Sequence, residues 1–246
     1  MKIFYKVIII FLFLTYSFPT NSHVQHYENL NRIEFDIYRN NKNIGKHIFS
    51  FKKINNQIEV DSEIKFEIKK LGVVLYKYYV KGKEVYKDGK LIKFNSKTNQ
   101  NGKDKYVNLI IDNNEFDIDG SSYKGKAPNS YVLGTWWNHS IVEAEAQISA
   151  VSGRIIKQTV TFLGKKTIEV NGKKYDTLHF NFSSTDKKLS KDKKLNTNIW
   201  YDEKTLNWVK NSQNMRLNYI NFYYFISCFV CTKMVKFSLI HLLGGR

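Results

Sequence analysis

Residues 57–69 read QIEVDSEIKFEIK, and their apolar and polar side chains alternate. The odd positions are polar throughout, and the even positions are apolar except for a serine: Ile58, Val60, Ser62, Ile64, Phe66 and Ile68. Because successive side chains of a strand point to opposite faces, the pattern predicts a long strand with one buried and one wet face. A helix would scatter the same apolar residues around its whole circumference.

Turns rich in Asn, Asp and Gly divide the rest of the chain into similar stretches. Asp88-Gly89, Asn101-Gly102 and Asn171-Gly172 are typical of tight hairpin turns, which need a positive φ. We predict about ten strands, near 32–39, 44–53, 57–70, 73–87, 90–99, 104–112, 115–119, 154–163, 166–171, 174–183 and 197–202. The fold class that follows is mainly β, either a single curved antiparallel sheet or an incomplete β-barrel in which sequence neighbours pair as hairpins.

Residues 128–152 interrupt this pattern. Pro128 begins a loop, and Ser140 with Glu143 forms a capping box ahead of apolar residues at helical spacing. We predict one short helix near 140–150 that covers one end of the sheet.

The N-terminus has the layout of a secretory signal peptide. Lys2 and Lys6 precede an apolar run over 7–14, and small and polar residues lead to Ser22. The apolar run is shorter than the about 20 residues that a membrane-spanning helix needs. We therefore predict a signal-peptide helix over 1–22 that is removed after export, which leaves a periplasmic or outer-envelope protein beginning at His23.

Three segments follow from this division: a signal peptide over 1–22, an antiparallel β domain over 23–210, and an atypical apolar and basic tail over 211–246. The tail has no Asp or Glu, although the chain holds 22 of them. It also contains both cysteines. One explanation is a terminal strand that continues into a membrane-associated segment, and the other is a reading-frame slip in the gene.

The formal net charge of +17 does not indicate nucleic-acid binding. Only five of the 39 basic residues are Arg, the side chain that best matches phosphates and base edges. A lysine run within 187–194 is typical of a solvated loop, and contact with anionic lipid or an envelope polymer is the alternative. We expect no nucleic-acid partner, a lipid or envelope component as partner, and membrane contact that is peripheral at most.

No motif has the spacing that catalysis or metal binding requires, so we expect no catalytic, cofactor or metal site. Cys228 and Cys231 have redox spacing but lack a thioredoxin-like βαβ context. A mature N-terminal His23 could bind Cu(II), although a solvated terminus explains it more simply. Asp117 and Asp119 share a strand face, and such a pair could serve a glycosidase or hold calcium, although the end of a strand explains it more simply.

Aromatic residues supply the one positive functional hypothesis. The chain has 16 Tyr, 17 Phe and 4 Trp. An aromatic concave face could bind an acyl chain or an extended peptide, and our candidate ligand-binding residues are Tyr76, Tyr78, Trp136, Trp137 and Trp200. The alternative is that these aromatics fill the core and that both faces of the sheet are covered.

The order of several short motifs resembles a family of exported β-proteins from Gram-negative bacteria that is labelled a domain of unknown function. These motifs span roughly 32–209 and include FDIYRN at 35–40, EVYKDGKL at 84–91, WWN at 136–138, VNG at 170–172 and IWYD at 199–202. The resemblance implies a curved antiparallel sheet, akin to the half-open barrels that carry lipoproteins through the periplasm. It implies no activity and no catalytic residues, and we expect it to end near Lys210.

The leading hypothesis is a non-enzymatic periplasmic or envelope-associated protein that binds a hydrophobic ligand or an envelope partner. An envelope glycan or lipid hydrolase is one alternative, and a structural or assembly protein is another. The inner face of the sheet distinguishes them: an open apolar groove favours ligand binding, a polar cleft with carboxylates favours an enzyme, and a sealed face favours a scaffold.

Overall fold

The computed structural model describes residue 27, residues 30–190 and 193–213, and the backbone of the strand over 222–226. The predicted signal-peptide helix, His23, and the cysteines of the predicted tail lie outside the described residues.

The described chain is almost entirely β-structure. The strands are β1 (Arg32–Arg39), β2 (Lys42–Ile54), β3 (Gln57–Lys70), β4 (Val73–Lys87), β5 (Lys90–Gln100), β6 (Lys103–Asp112), β7 (Glu115–Gly120), β8 (Lys124–Pro128), β9 (Val132–Leu133), β10 (Ala146–Ile148), β11 (Ile155–Val170), β12 (Lys173–Ser184), β13 (Asn196–Asp202), β14 (Trp208–Gln213) and β15 (Phe222–Ile226). A 3₁₀ turn covers His139–Val142.

Hydrogen-bonded strand pairs follow the order β8-β7-β6-β5-β4-β3-β2-β1-β15-β14-β13-β12-β11-β10-β9. The pairs are antiparallel except for β9 with β10, which together with the start of β11 form a short mixed sheet. The two halves of the main sheet meet where β1 pairs with β15. The described strands do not close into a barrel, because β8 and β9 stand at opposite ends of this order.

The alternating patterns correctly predicted most strands, and the Asn and Asp turns have the expected backbone. Asp88 and Gly89, for example, have φ of 50° and 75°. One boundary was wrong: the predicted strands 154–163 and 166–171 form the single strand β11. Gly164, with φ 107°, lies at a shift of register within β11, so this glycine forms a bulge and not a turn.

The predicted helix near 140–150 is wrong. Asn138 caps the 3₁₀ turn by accepting a hydrogen bond from the backbone N–H of Ser140, and the turn ends at Val142 without continuing into an α-helix. Ala146–Ile148 then forms β10, with all three residues buried. Of the apolar residues at helical spacing, Ile148 is buried by this sheet pairing, whereas Ile141 and Ala144 are buried in and just after the 3₁₀ turn.

Residues 129–154, which we call the plug, lie over one face of the main sheet and connect its two ends. Rings of the plug contact β2, β4 and β12, strands that belong to both halves of the sheet. Gly120 of β7 approaches the plug so closely that a Cβ there would lie 2.6 Å from the backbone oxygen of Ser152. The core is therefore the layer between the plug and the inner face of the sheet.

Candidate functional site: a buried carboxyl beneath an aromatic plug

Two consecutive indoles fix the plug to the sheet. Trp136 has φ 67°, an uncommon conformation for a bulky residue. Its ring packs edge-on against Phe182 of β12 at 5.1 Å between centroids. The Trp137 ring packs edge-on against Phe51 of β2 at 5.2 Å and Tyr86 of β4 at 5.5 Å. The side chain of Trp137 is completely buried.

A buried carboxyl group lies directly beneath Trp137. Glu84 of β4 is completely buried, and one carboxyl oxygen accepts a hydrogen bond from the indole Nε1 of Trp137 at 3.0 Å. The other oxygen accepts from the hydroxyl of Tyr86 at 2.6 Å. The local strand geometry explains this pair, because Glu84 and Tyr86 are two residues apart and point to the same face of β4.

Burial shifts the acid strength of this group. It raises the pKa of Glu84 from 4.5 to about 7, whereas the hydrogen bonds from Tyr86 and Trp137 lower the pKa by a smaller amount. Burial also raises the pKa of the Tyr86 hydroxyl well above 10, and the negative charge of Glu84 adds to the effect. Tyr86 therefore remains a hydrogen-bond donor at neutral pH, and Glu84 changes its charge near pH 7.

Two glutamines hold the other end of the plug. Gln147 of β10 donates to the side-chain oxygen of Gln158 in β11 at 2.6 Å. The amide nitrogen of Gln158 donates to the backbone oxygens of Ile141 at 3.2 Å and Ala144 at 2.9 Å. These buried hydrogen bonds tie the backbone at the end of the 3₁₀ turn to β11, and the oxygen of Ile141 also accepts from the backbone N–H of Ala144 at 3.4 Å.

Two tyrosine hydroxyls complete the attachment. Tyr201 of β13 donates to the backbone oxygen of Trp136 at 2.9 Å. Tyr27 donates to the backbone oxygen of Leu206 at 3.0 Å and accepts from the backbone N–H of His139 at 3.3 Å. Burial raises the pKa of both hydroxyls, so both stay protonated and act as donors.

The five predicted ligand-binding residues do not form one site. Trp136 and Trp137 belong to the plug and face the core. Tyr76 and Tyr78 lie on β4 and stack on Phe66, with ring centroids 6.0 and 5.0 Å away. The fifth residue, Trp200, lies on β13, where its neighbours differ from those of the other four.

Trp200 belongs to a row of side chains that crosses three strands. Its ring stacks on His179 of β12 at 4.2 Å, and the ammonium group of Lys210 of β14 lies 5.1 Å from the ring centroid. The register places Trp200 directly opposite both partners. Tyr201, the next residue, points to the plug, so Trp200 lies on the opposite face of the sheet.

The acidic pair considered for a hydrolase lies on an exposed face of β7. Asp119 forms an ion pair with Lys124 at 2.8 Å and accepts from the hydroxyl of Tyr106 at 3.1 Å. The hydrogen bond from Lys124 holds the pKa of Asp119 below its usual value, whereas a general acid needs a raised pKa. Asp117 is equally exposed, in the middle of the strand.

Two small cavities in the described part of the protein lie away from these aromatics. One, of about 200 Å³, is lined by residues that include Arg154 and Leu189, and another, of about 150 Å³, lies beside Lys173 and Lys204. Ligand pockets usually have volumes of about 300–1,000 Å³. Within the described ranges, His, Cys, Asp and Glu side chains form no group of three that could hold a metal ion. None of the described helical segments is long and apolar enough to cross a bilayer.

Sequence reasoning missed Glu84 as a buried group. The signal was present, because Glu84 has the same parity on β4 as Tyr76, Tyr78 and Val80, the residues of one apolar face. A single Glu on such a face predicts a buried carboxyl that must find hydrogen-bond donors. Its partner Trp137 could not be predicted, since it lies 53 residues away along the chain.

Fold and site together define a mainly antiparallel β domain whose inner face is covered by an aromatic plug from its own chain. The chain belongs to the family described as "Domain of unknown function (DUF6134)", whose model matches residues 35–224. The predicted membership of a family of β-rich proteins of unknown function is therefore confirmed. The match continues past residue 210, where we had expected the resemblance to end.

Two solved structures are similar to the chain at 10% sequence identity. One is a presumed lipoprotein from Parabacteroides distasonis ATCC 8503, with a TM-score of 0.35 over 79% of this chain and 92% of that one. The other is the hypothetical lipoprotein YmcC from Escherichia coli (K12), with a TM-score of 0.29 over 90% of this chain and 93% of that one. No curated protein matches the chain.

Proposed function

We propose that this chain is an exported, non-enzymatic envelope protein that acts through its outer surface, as a structural or assembly component that binds an envelope partner. On this proposal the inner face of the sheet does not carry a ligand. One observation carries the argument: the completely buried Trp137 occupies the inner face and donates its indole hydrogen to the buried Glu84.

A ligand inside the sheet would have to displace the plug. Displacement would break the hydrogen bond between Trp137 and Glu84 and would leave the Glu84 carboxyl without one of its donors. It would also expose the Trp137 ring, and removing a buried Trp typically costs about 3–5 kcal/mol. A carrier function therefore requires an acyl chain to compensate for a large loss of internal packing, whereas a function of the outer surface requires no such change.

The proposed location depends on the N-terminal sequence. The basic start, the apolar run over 7–14 and the small and polar residues before His23 support export. Fractionation of cells that express the full gene, followed by N-terminal sequencing, tests this part. We expect a periplasmic or membrane-fraction protein that begins at His23, and a cytoplasmic protein that begins at Met1 would overturn the location.

Native mass spectrometry of the purified mature protein tests whether the inner face of the sheet carries a ligand. The expected mass is that of the polypeptide alone. A stoichiometric lipid adduct that survives desalting, and that is lost in a Trp137→Leu variant, would show that the inner face binds ligand. The matched control is Trp200→Leu, because Trp200 lies on the opposite face of the sheet.

A further inference from the structure

The β3–β4 hairpin extends beyond the strands on either side of it. Pairing between β2 and β3 ends at Gly45 and Phe66, and pairing between β4 and β5 ends at Tyr78 and Gln100. Residues 67–77 therefore form a two-stranded extension, which at about 3.3 Å per residue projects roughly 15 Å. Phe66 stacks on both Tyr76 and Tyr78, so the base of the hairpin is held by the core.

The tip of this hairpin is apolar and exposed. Leu71 is 95% exposed, Val73 62% and Leu75 55%. Leu71 also occupies a turn position with φ 48°, followed by Gly72 with φ 79°. In the described part of the chain, the other tight turns with two successive positive φ values have Asn or Asp at this position, the residues that tolerate it: Asn40, Asp88, Asn101, Asn113 and Asn171. Leu71 therefore combines an unfavourable backbone conformation with an apolar side chain in water.

Lysines surround the apolar tip. Within residues 65–81 five lysines and one Glu give a net charge of +4: Lys65, Lys69, Lys70, Lys77, Lys81 and Glu67. Glu67 lies between two of these lysines, 3.1 Å from Lys69 and 3.8 Å from Lys77. The hydrogen bond from Lys69 lowers the pKa of Glu67, so this carboxyl group, the only acidic one within residues 65–81, stays ionised and pairs with Lys69 and Lys77. The segment therefore keeps its net positive charge.

We propose that the tip of the β3–β4 hairpin inserts into the surface of an anionic lipid bilayer. Leu71, Val73 and Leu75 would enter the boundary between headgroups and acyl chains, and the lysines behind them would lie at the level of the lipid phosphates. An apolar element backed by Lys residues has the chemistry of an interfacial anchor. The charge complementarity selects anionic lipid over a neutral apolar partner.

This inference deepens the proposed function, because it names the lipid surface as a partner, and it rests on the envelope location for its biological setting. The two parts fail separately. Vesicle binding is measured on purified protein, and export is measured in cells. If the protein binds vesicles but stays in the cytoplasm, the proposed envelope location is wrong. If the protein is exported but does not bind vesicles, the proposed membrane anchor is wrong.

Co-sedimentation of the mature full-length protein with vesicles tests the anchor. Vesicles of phosphatidylethanolamine and phosphatidylglycerol are compared with vesicles of phosphatidylcholine alone. We expect binding to the anionic vesicles that weakens as salt is added, and about tenfold or greater weakening in the double variant Leu71→Asn, Leu75→Asn. Equal binding of the wild type and this variant would overturn the proposal, as would the absence of binding to anionic vesicles.

Two further variants separate the apolar and the electrostatic contributions. Ile54→Asn is the matched control, because Ile54 is 48% exposed but ends β2, next to the β2–β3 turn at the other end of the hairpin. It should bind vesicles as the wild type does. Lys70→Gln with Lys77→Gln should remove most of the preference for anionic lipid, and a preference that survives would contradict the role of the lysines.

Insertion depth is followed with Leu71→Trp. The indole at this exposed position should shift its emission to shorter wavelength when anionic vesicles are added. The reference is the same titration of the wild-type protein, whose four Trp residues are all buried. An emission maximum that stays at the value for exposed Trp while the protein co-sediments would show that the tip does not insert.

Discussion

Glu84→Gln tests the buried carboxyl through the pH dependence of stability. The pKa of Glu84 is 4.5 in its ordinary state and about 7 in the folded protein, because burial disfavours the charged form. The folded protein therefore binds more protons than the unfolded chain between these values. By linkage, the contribution of Glu84 is fully present below pH 4.5 and is lost as the pH rises to about 7.

The magnitude follows from the size of the pKa shift. A change from 4.5 to about 7 corresponds to about 3 kcal/mol, at about 1.4 kcal/mol for each unit. The amide side chain of the variant is neutral at every pH and keeps one carbonyl oxygen for the Trp137 indole. The free energy of unfolding of Glu84→Gln minus that of the wild type should therefore rise by about 3 kcal/mol between pH 4.5 and pH 8.

The assay is urea denaturation at a series of pH values, followed by tryptophan fluorescence. Taking the difference between variant and wild type removes contributions that the two proteins share, including that of other titrating groups. Glu115→Gln is the control, since Glu115 is exposed on β7 and its difference should stay flat. A flat difference for Glu84→Gln would refute the reasoning, because it would mean that Glu84 is solvated in the folded protein.

Four further changes probe other parts of the structure. Trp137→Ala should lower the free energy of unfolding by about 3–5 kcal/mol through the cavity it leaves, as measured by urea denaturation, and a loss below about 1 kcal/mol would show that the plug is not part of the core. Gln158→Ala removes the side-chain donor to the backbone oxygens of Ile141 and Ala144 and the acceptor of Gln147, and should cost about 2 kcal/mol in the same assay, which a change within error would contradict. Burial lowers the pKa of His47 from 6.5 to about 3, so its contribution to stability is present above pH 6.5 and is lost as the pH falls towards 3; His47→Leu should remove this acid sensitivity, and an unchanged acid titration would refute it. Asp119→Asn should leave the denaturation midpoint unchanged, since Asp119 pairs only at the surface, and a clear shift would assign it a larger role.

Alternation of side chains was enough to predict the regular hairpins. In β3 the odd positions face solvent in part and most even positions are buried, as the sequence of residues 57–69 indicates. The turns could also be predicted from the sequence, because few residues other than Asn, Asp and Gly accept a positive φ. Among the described hairpin turns with two successive positive φ values Leu71 is the exception, and it lies at the tip of the projecting hairpin.

The plug could not be predicted from local patterns, because tertiary contacts decide its structure. The predicted helix near 140–150 failed since Ala146–Ile148 gains a strand partner in β11, a pairing that local spacing does not reveal. The short strands β8, β9 and β10 were missed for the same reason. A terminal strand was one of the two explanations considered for the tail, but the bounds and pairing of β14 and β15 were not predicted. β15 lies between β1 and β14, so its place in the sheet depends on residues nearly 190 positions earlier.

The candidate site, too, could be predicted from the sequence only in part. The sequence indicated aromatic residues as candidate ligand-binding residues, but sequence alone did not distinguish an open aromatic face from a filled core. Trp136 and Trp137 fill that core, whereas Trp200 lies on the opposite face with His179 and Lys210. The distinction depends on which side of the sheet the plug covers, and this is a property of the whole fold.

Hydrogen exchange of the Trp137 indole, followed by NMR, tests most directly whether the plug occupies the inner face. The indole hydrogen is bonded to Glu84 and completely buried, so it should exchange only on global unfolding, and lipid vesicles or free fatty acid should not make it exchange faster. Rapid exchange in the free protein, or protection that is lost when lipid is added, would show that the plug opens and that the inner face is a binding site.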